Sequence, residues 1–384
     1  MRKPSEVITE VISLVRDGIK SYSNDMEVVV WNWSWNAFYE PPCREIIDKL
    51  PADVLVMTGF ERGGVKLING EERIIDEYSL SFVGPSKQFV DTVKAVNENG
   101  LRIMAKLQIG TTHELATVPN LPLIGNLYDK AMALKSYGIK DFMGCWNFGN
   151  MLTANTASFD YFLNTSALLN KHDTMMAFAT EYFPGCVPEW VVAAWREFAV
   201  AMDSYPFSTS FLYSGPLNYA LSYPLLPEPV SDTVSGRSWL MDYRGDNLEN
   251  SLKTFDLDTV INCLKSVFLR WKTGVEYLVN GLKSNSSHHG LEELNNANVC
   301  YHIFRSGWNI YRVYKLRRSW NDAKFKDYFQ IVEDEIENLQ QVLPIVKEDR
   351  RFGFHPEAQG YMYDSNSIEK KIKNLKWRLS RRTR

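Results

Sequence analysis

The sequence is short of several things that would have settled its class at once. No stretch approaches ~18 consecutive apolar residues, so a membrane-spanning helix is not expected. The N-terminal segment from Met1 to Lys20 is amphipathic, and charges interrupt the continuous apolar core that a signal peptide needs. Cysteine is sparse: Cys43, Cys145, Cys186, Cys263 and Cys300 are odd in number and far apart. That spacing gives no disulfide framework and no CxxC pair, and a reduced, cytoplasmic setting is the expectation. Charge of one sign is lacking too. Forty-three Lys and Arg against 46 Asp and Glu leave a formal net charge of −3, without the basic excess of a nucleic-acid binder. GxGxxG, the Walker loop and the GxSxG elbow are absent, so neither nucleotide fingerprint nor hydrolase elbow is present. His113-Glu114 opens like HExxH, but Thr117 stands where the second histidine belongs and the segment reads as loop. No metal and no cofactor is expected.

What is present is a soluble globular composition, 45% hydrophobic and 23% charged over 384 residues, enough for two or three domains. The aromatic share is 13%, with 11 Trp, 19 Tyr and 20 Phe. Aromatic rings fill cores, and they also cover the apolar face of a sugar ring.

The first ~150 residues alternate between helical and strand-like segments. Helix patterns are expected over 5–19, 42–50, 86–99 and 127–137. Strands are expected over 26–33, 53–58, 101–109 and 139–146. Strands separated by helices imply parallel pairing through right-handed crossovers. Beyond residue 150 the spacing predicts helices over 157–169, 173–181 and 188–201. An aromatic-rich stretch without period follows over 205–246. Four long helices from Leu257 onward suggest a bundle. The expected divisions are 1–155, a (β/α) barrel-type region with the active site; 156–250, helices and loop covering it; and 251–384, an α-helical bundle.

In parallel α/β folds, ligands bind outside the carboxyl ends of the strands. Here those ends carry Trp31, Asn32, Trp33 and Trp35; then Glu61 and Arg62; then Gln108, His113 and Glu114; then Trp146 and Asn147. Carboxylates, amides and indoles suit a carbohydrate: hydrogen bonds to hydroxyls, stacking on the ring, acids to cleave the bond. Glu114 is the first candidate for catalysis and Glu61 the second. The bland alternatives are a turn cap or an arginine pair for Glu114, and a surface pair with Arg62 for Glu61. Trp33, Trp35, Arg62, Glu77, Tyr78, Gln108, His113, Trp146 and Asn147 are the candidate substrate contacts. Asp349 to Glu357 reads as a structured turn between the last two helices, one that could reach the site.

Taken in order, Trp-Asn-Trp-Ser-Trp, Phe-Glu-Arg-Gly-Gly, Asp-Glu-Tyr-Ser-Leu-Ser, Lys-Leu-Gln-Ile with Thr-His-Glu, and Cys-Trp-Asn-Phe-Gly resemble the second half of a TIM-barrel glycoside hydrolase-like family. The helical tail with Asp-Arg-Arg-Phe-Gly-Phe-His-Pro-Glu-Ala resembles the α-helical region that follows such barrels. The resemblance implies cleavage of O-glycosidic bonds by paired carboxylates, roles that fall by position on Glu114 and Glu61. It also implies that the four strands are the last four of eight, with Glu114 after the seventh. A carbohydrate is then the expected ligand. A homo-oligomer or a missing N-terminal barrel half is the expected partner, with no nucleic acid and no membrane. The alternatives are a non-catalytic carbohydrate-binding protein and a partner-docking fragment of a longer barrel enzyme.

Overall fold

The structure, a computed structural model, describes residues 2–146, 151–165, 170–228, 248–283 and 287–381. Four parallel strands form the sheet: β1 (Val28–Trp31), β2 (Val54–Gly59), β5 (Arg102–Lys106) and β6 (Asp141–Met143), in the order β1-β2-β5-β6. They are the four strands that the alternating pattern predicts; β2 has the expected length and the other three are shorter than their apolar runs. Helices Pro4–Tyr22, Lys87–Glu98 and Ile124–Ser136 alternate with them. The short Arg44–Ile47 stands where a longer helix over 42–50 was expected. Ser86 caps Lys87–Glu98 by accepting the Phe89 N–H at 3.1 Å.

Between β2 and Lys87–Glu98 lies a hairpin that the strand-and-helix reading passed over as loop. It consists of β3 (Gly64–Ile68) and β4 (Glu71–Ile75). Its turn is Asn69-Gly70, both at positive φ (53° and 81°). Asn-Gly between two strand-like runs is a strong short-range hairpin signal, because both central residues of a type I′ turn need positive φ.

The rest is mainly helical: Ala154–Asn164, Lys171–Tyr182, Pro188–Ala201, Leu257–Leu282, His288–Arg317, Phe325–Glu348 and Ser365–Ser380. The fold is thus mixed α/β with a parallel sheet and a large helical part. The described strands make an open sheet, and no closed barrel is seen among them. One apolar core runs from Phe60, Phe89 and Leu107 beside the sheet to Trp195, Trp271, Leu339 and Ile372 in the helices. A smaller cluster joins Val28, Val30, Trp35, Ile46, Val54 and Val96. Gly274 lets Leu257–Leu282 approach Pro188–Ala201, since a Cβ there would meet the Phe198 ring at 2.5 Å.

Two features of the sheet are unfinished among the described residues. β1 pairs only with β2, and β6 only with β5, so both outer edges are free. Pro4–Tyr22 packs Ile8, Ile12 and Ile19 against the smaller cluster, yet its opposite stripe, Val7, Val11, Leu14 and Val15, is exposed, Leu14 at 65%.

Candidate functional site

The carboxyl ends of all four parallel strands converge on one group of rings. Trp31 ends β1, and Trp33 follows it with ring centroids 5.5 Å apart. Trp31 also meets Trp146, three residues past β6, at 5.0 Å. Trp33 stacks on Tyr78 at 5.1 Å, and Tyr78 stacks on His113 at 5.2 Å. Cations sit on two of these rings: Arg62 over Trp33 at 4.1 Å, and Lys106 Nζ over Tyr78 at 3.8 Å. Arg62 also donates to the Trp33 carbonyl at 3.1 Å. The Trp31 indole N–H is buried and has no acceptor among the described residues.

Two carboxylates border the rings, and they are joined. Asp76 is exposed while Glu77 is 7% exposed, the alternation of extended chain past β4. Glu77 Oε1 accepts the Tyr78 N–H at 3.0 Å, and Oε2 accepts the Tyr213 hydroxyl. The Tyr213 ring meets His113 edge-on at 6.2 Å. His113 Nε2 donates to Glu357 Oε2 at 2.7 Å, and the Trp146 Nε1–H donates to Glu357 Oε1 at 3.1 Å. Burial pushes the Glu357 carboxyl up, but the hydrogen bond and charge of His113, with the Trp146 N–H, outweigh it and hold the group below its ordinary value. Burial first, then Glu77, pushes the Tyr213 and Tyr78 hydroxyls well up, so both keep their protons.

Glu357 lies in the small hairpin of β7 (Phe354–His355) and β8 (Gly360–Tyr361). The Thr117 carbonyl docks this hairpin beside His113, accepting the Gly353 N–H at 2.9 Å and the Tyr363 hydroxyl at 3.1 Å. Gly353 is required here: its φ is +90°, and a Cβ would lie 1.9 Å from the Tyr363 carbonyl oxygen.

The other candidates lie behind this face. Glu114 is fully buried and accepts from Ser79, Ser81 and Thr112 hydroxyls and from the Leu80 and Ser81 N–H groups. Glu61 is buried in an ion pair with Lys130 at 2.6 Å and accepts the Gln108 N–H at 2.9 Å, not in a surface pair with Arg62. Gln108 is a bridge, its Oε1 accepting from Lys106 at 2.9 Å and from the backbone N–H of Trp146 at 3.2 Å. Trp35 is not with Trp31 and Trp33. The strand ends at Trp31, the chain turns through a 3-10 segment at Trp35–Ala37, and Trp35 packs in the smaller core cluster. Asn147 lies outside the described residues. No three His, Cys, Asp or Glu gather as a metal site among the described residues, and no helix there is long and apolar enough to cross a membrane.

No family profile and no curated protein matches the sequence. The structure is similar to that of a solved GH138 enzyme targeting pectin rhamnogalacturonan II, with a TM-score of 0.53 and 12% sequence identity. The match covers 96% of this chain and 46% of that one, so this chain spans about half the length of the solved neighbour. The likeness is one of fold, to part of that enzyme.

Three members of this ring cluster, Tyr213, Glu357 and Lys106, were not among the candidates drawn from the sequence. Tyr213 and Glu357 come from 136 and 244 residues away from their partners Glu77 and His113. Lys106 was within reach, since Lys106 and Gln108 alternate to one face of the chain leaving β5. Burial pushes the Lys106 amine down to about 8, while Glu61, Cys145 and Glu77 pull it up and Lys130 adds to the fall. The folded chain therefore releases this proton before the unfolded chain does. Between about pH 8 and 10.5 the unfolded state binds more protons, and stability contributed by this residue rises with pH. Urea titrations of the wild type and Lys106→Met at pH 7 and pH 9.5 should show the wild type gaining on the variant at the higher pH. An unchanged difference would refute it.

Proposed function

We propose that the carboxyl edge of the sheet is a carbohydrate site of the glycosidase kind, acting on O-glycosidic bonds of an oligo- or polysaccharide. The observation that carries this is the linked set Glu77–Tyr213–His113–Glu357 beside the indoles of Trp33 and Trp146. Indole faces take the C–H face of a sugar. Glu357, held ionised, is the nucleophile or base. Glu77 is its partner for proton transfer to the leaving oxygen. Glu114 and Glu61 serve as frame in this reading, because Glu114 is knotted to three hydroxyls and two backbone N–H groups and Glu61 is taken up by the buried Lys130 ammonium. The glycoside hydrolase-like fold of the neighbour supports the same class of chemistry.

The test is a thermal melt of the purified chain against a panel of mono- and oligosaccharides, followed by product analysis with any sugar that raises the midpoint. A sugar that stabilises the chain and is cleaved supports the proposal. Stabilisation without cleavage leaves a carbohydrate-binding protein, and no response to any sugar removes the reading.

A second reading concerns partners, and the exposed stripe on Pro4–Tyr22 with the free edge of β1 favours it. We infer that further β/α strands belong beside β1. Parallel sheets are stable when their faces are covered and their edges paired. The purified chain should self-associate at high concentration through this face. Val11→Lys with Leu14→Lys should then lower the mass seen by light scattering without lowering the melting midpoint. A wild-type chain that is monomeric throughout would count against it.

A further inference from the structure

Glu114 stands at the junction of two site-bearing segments. Its Oε1 accepts the Ser79 hydroxyl at 2.8 Å and the Ser81 hydroxyl at 2.5 Å. Its Oε2 accepts the Leu80 N–H at 2.8 Å, the Ser81 N–H at 3.2 Å and the Thr112 hydroxyl at 3.1 Å. Its own carbonyl accepts the Tyr205 hydroxyl at 2.7 Å. Hydroxyl and amide donors hold its oxygens directly, and the buried Lys66 ammonium, which donates to the Ser81 hydroxyl at 3.3 Å, adds a favourable charge one group further out. One residue before Glu114 is His113, and one residue before Ser79 is Tyr78, preceded by Glu77.

We propose that Glu114 is the positioning residue of this site: it knots the 77–81 segment to the 112–114 loop and so fixes Glu77 and Tyr78 against His113. The inference rests on the glycosidase-like reading above for its consequence, and on the hydrogen bonds alone for its geometry. A glutamine at this place has the right shape and the wrong donors. Hydroxyl groups can turn to accept, but the Ser81 N–H lies 3.3 Å from Oε1 and 3.2 Å from Oε2, so whichever way an amide is turned its N–H₂ faces that backbone N–H. Asp keeps the acceptors and shortens the reach. Gln should therefore be the more disruptive of the two at equal charge of the surrounding site.

The experiment compares wild type, Glu114→Gln, Glu114→Asp and Ser79→Ala with Ser81→Ala. Two readouts are taken: hydrogen exchange at the Tyr78 amide, and the chemical shifts of the His113 ring protons, which report its stacking on Tyr78 at 5.2 Å. Neither needs a substrate. Glu114→Gln is expected to speed Tyr78 exchange about tenfold and to move the His113 ring signals, with Glu114→Asp nearer wild type and the double serine variant between them. A merely stabilising role would change exchange across the core evenly and leave the His113 ring signals where they were. That result, or an unaltered Tyr78 amide in a folded Glu114→Gln protein, would overturn the proposal. Where a cleaved sugar is in hand, kcat should fall with KM within a few-fold. A chain that cleaves nothing but shows the Tyr78 and His113 changes would sink the function and keep the positioning role.

Discussion

Replacing Glu357 by Gln should lower turnover of a cleaved oligosaccharide by about 10²–10⁴-fold, the range for losing one acid, base or nucleophile. Sugar binding, read by the shift in melting midpoint, should stay within a few-fold. The Glu357 side chain is 20% exposed while its partner His113 is 1% exposed, so the substitution takes a charged acceptor from a buried imidazole. The amide carbonyl can still accept the Trp146 N–H, which keeps the side chain in place. What it loses is the charge that faces His113 and would face the anomeric carbon. Glu77→Gln should act in the same direction, because the amide keeps the shape and removes the group that exchanges a proton with the leaving oxygen. Turnover unchanged in either variant would take that carboxylate out of the chemistry. Loss of sugar binding along with turnover would mean that the substitution had disturbed the ring cluster instead.

Much of the sheet was legible because its signals are local. Apolar runs alternating with helical spacing mark the four parallel strands, and their carboxyl ends mark the region of the rings. The hairpin of β3 and β4 was equally legible from Asn69-Gly70, since only the turn chemistry was needed. What local pattern could not supply was the depth of each carboxylate. Glu61, Glu77 and Glu114 all follow strands, and nothing in the spacing says which one meets Lys130, which meets Tyr213 and which meets a ring of hydroxyls. Those fates depend on residues far along the chain. Glu357 was visible only as part of a turn that could reach back. Trp35 was misplaced for a different reason: it lies four residues past the end of β1, in a 3-10 turn that carries its ring away from the strand end and into the core.

Lys130→Met should cost about 3–5 kcal/mol, the usual loss when one partner of a buried ion pair is removed. Against a typical total of about 5–15 kcal/mol, that is a large share. Both groups are buried, and the Lys130 ammonium also donates to the Ser79 and Gln108 carbonyls at 3.0 and 3.1 Å. Met fills similar space and strands the Glu61 carboxylate, which keeps only the Gln108 N–H. Removing both charges in Lys130→Met with Glu61→Leu should recover part of the loss, because the Glu61 carboxylate no longer stands without its ammonium. Recovery should be incomplete, since the two carbonyls still lack their donor and buried Lys106 loses the Glu61 charge. Urea unfolding of the two single variants and the double variant gives the coupling directly. The same double variant separates frame from chemistry. If Glu61 is frame, the refolded double variant keeps measurable turnover of a cleaved sugar at a reduced level. If Glu61 acts on the bond, turnover vanishes however well the stability recovers, and the catalytic assignment moves from Glu77 and Glu357 back to the end of β2.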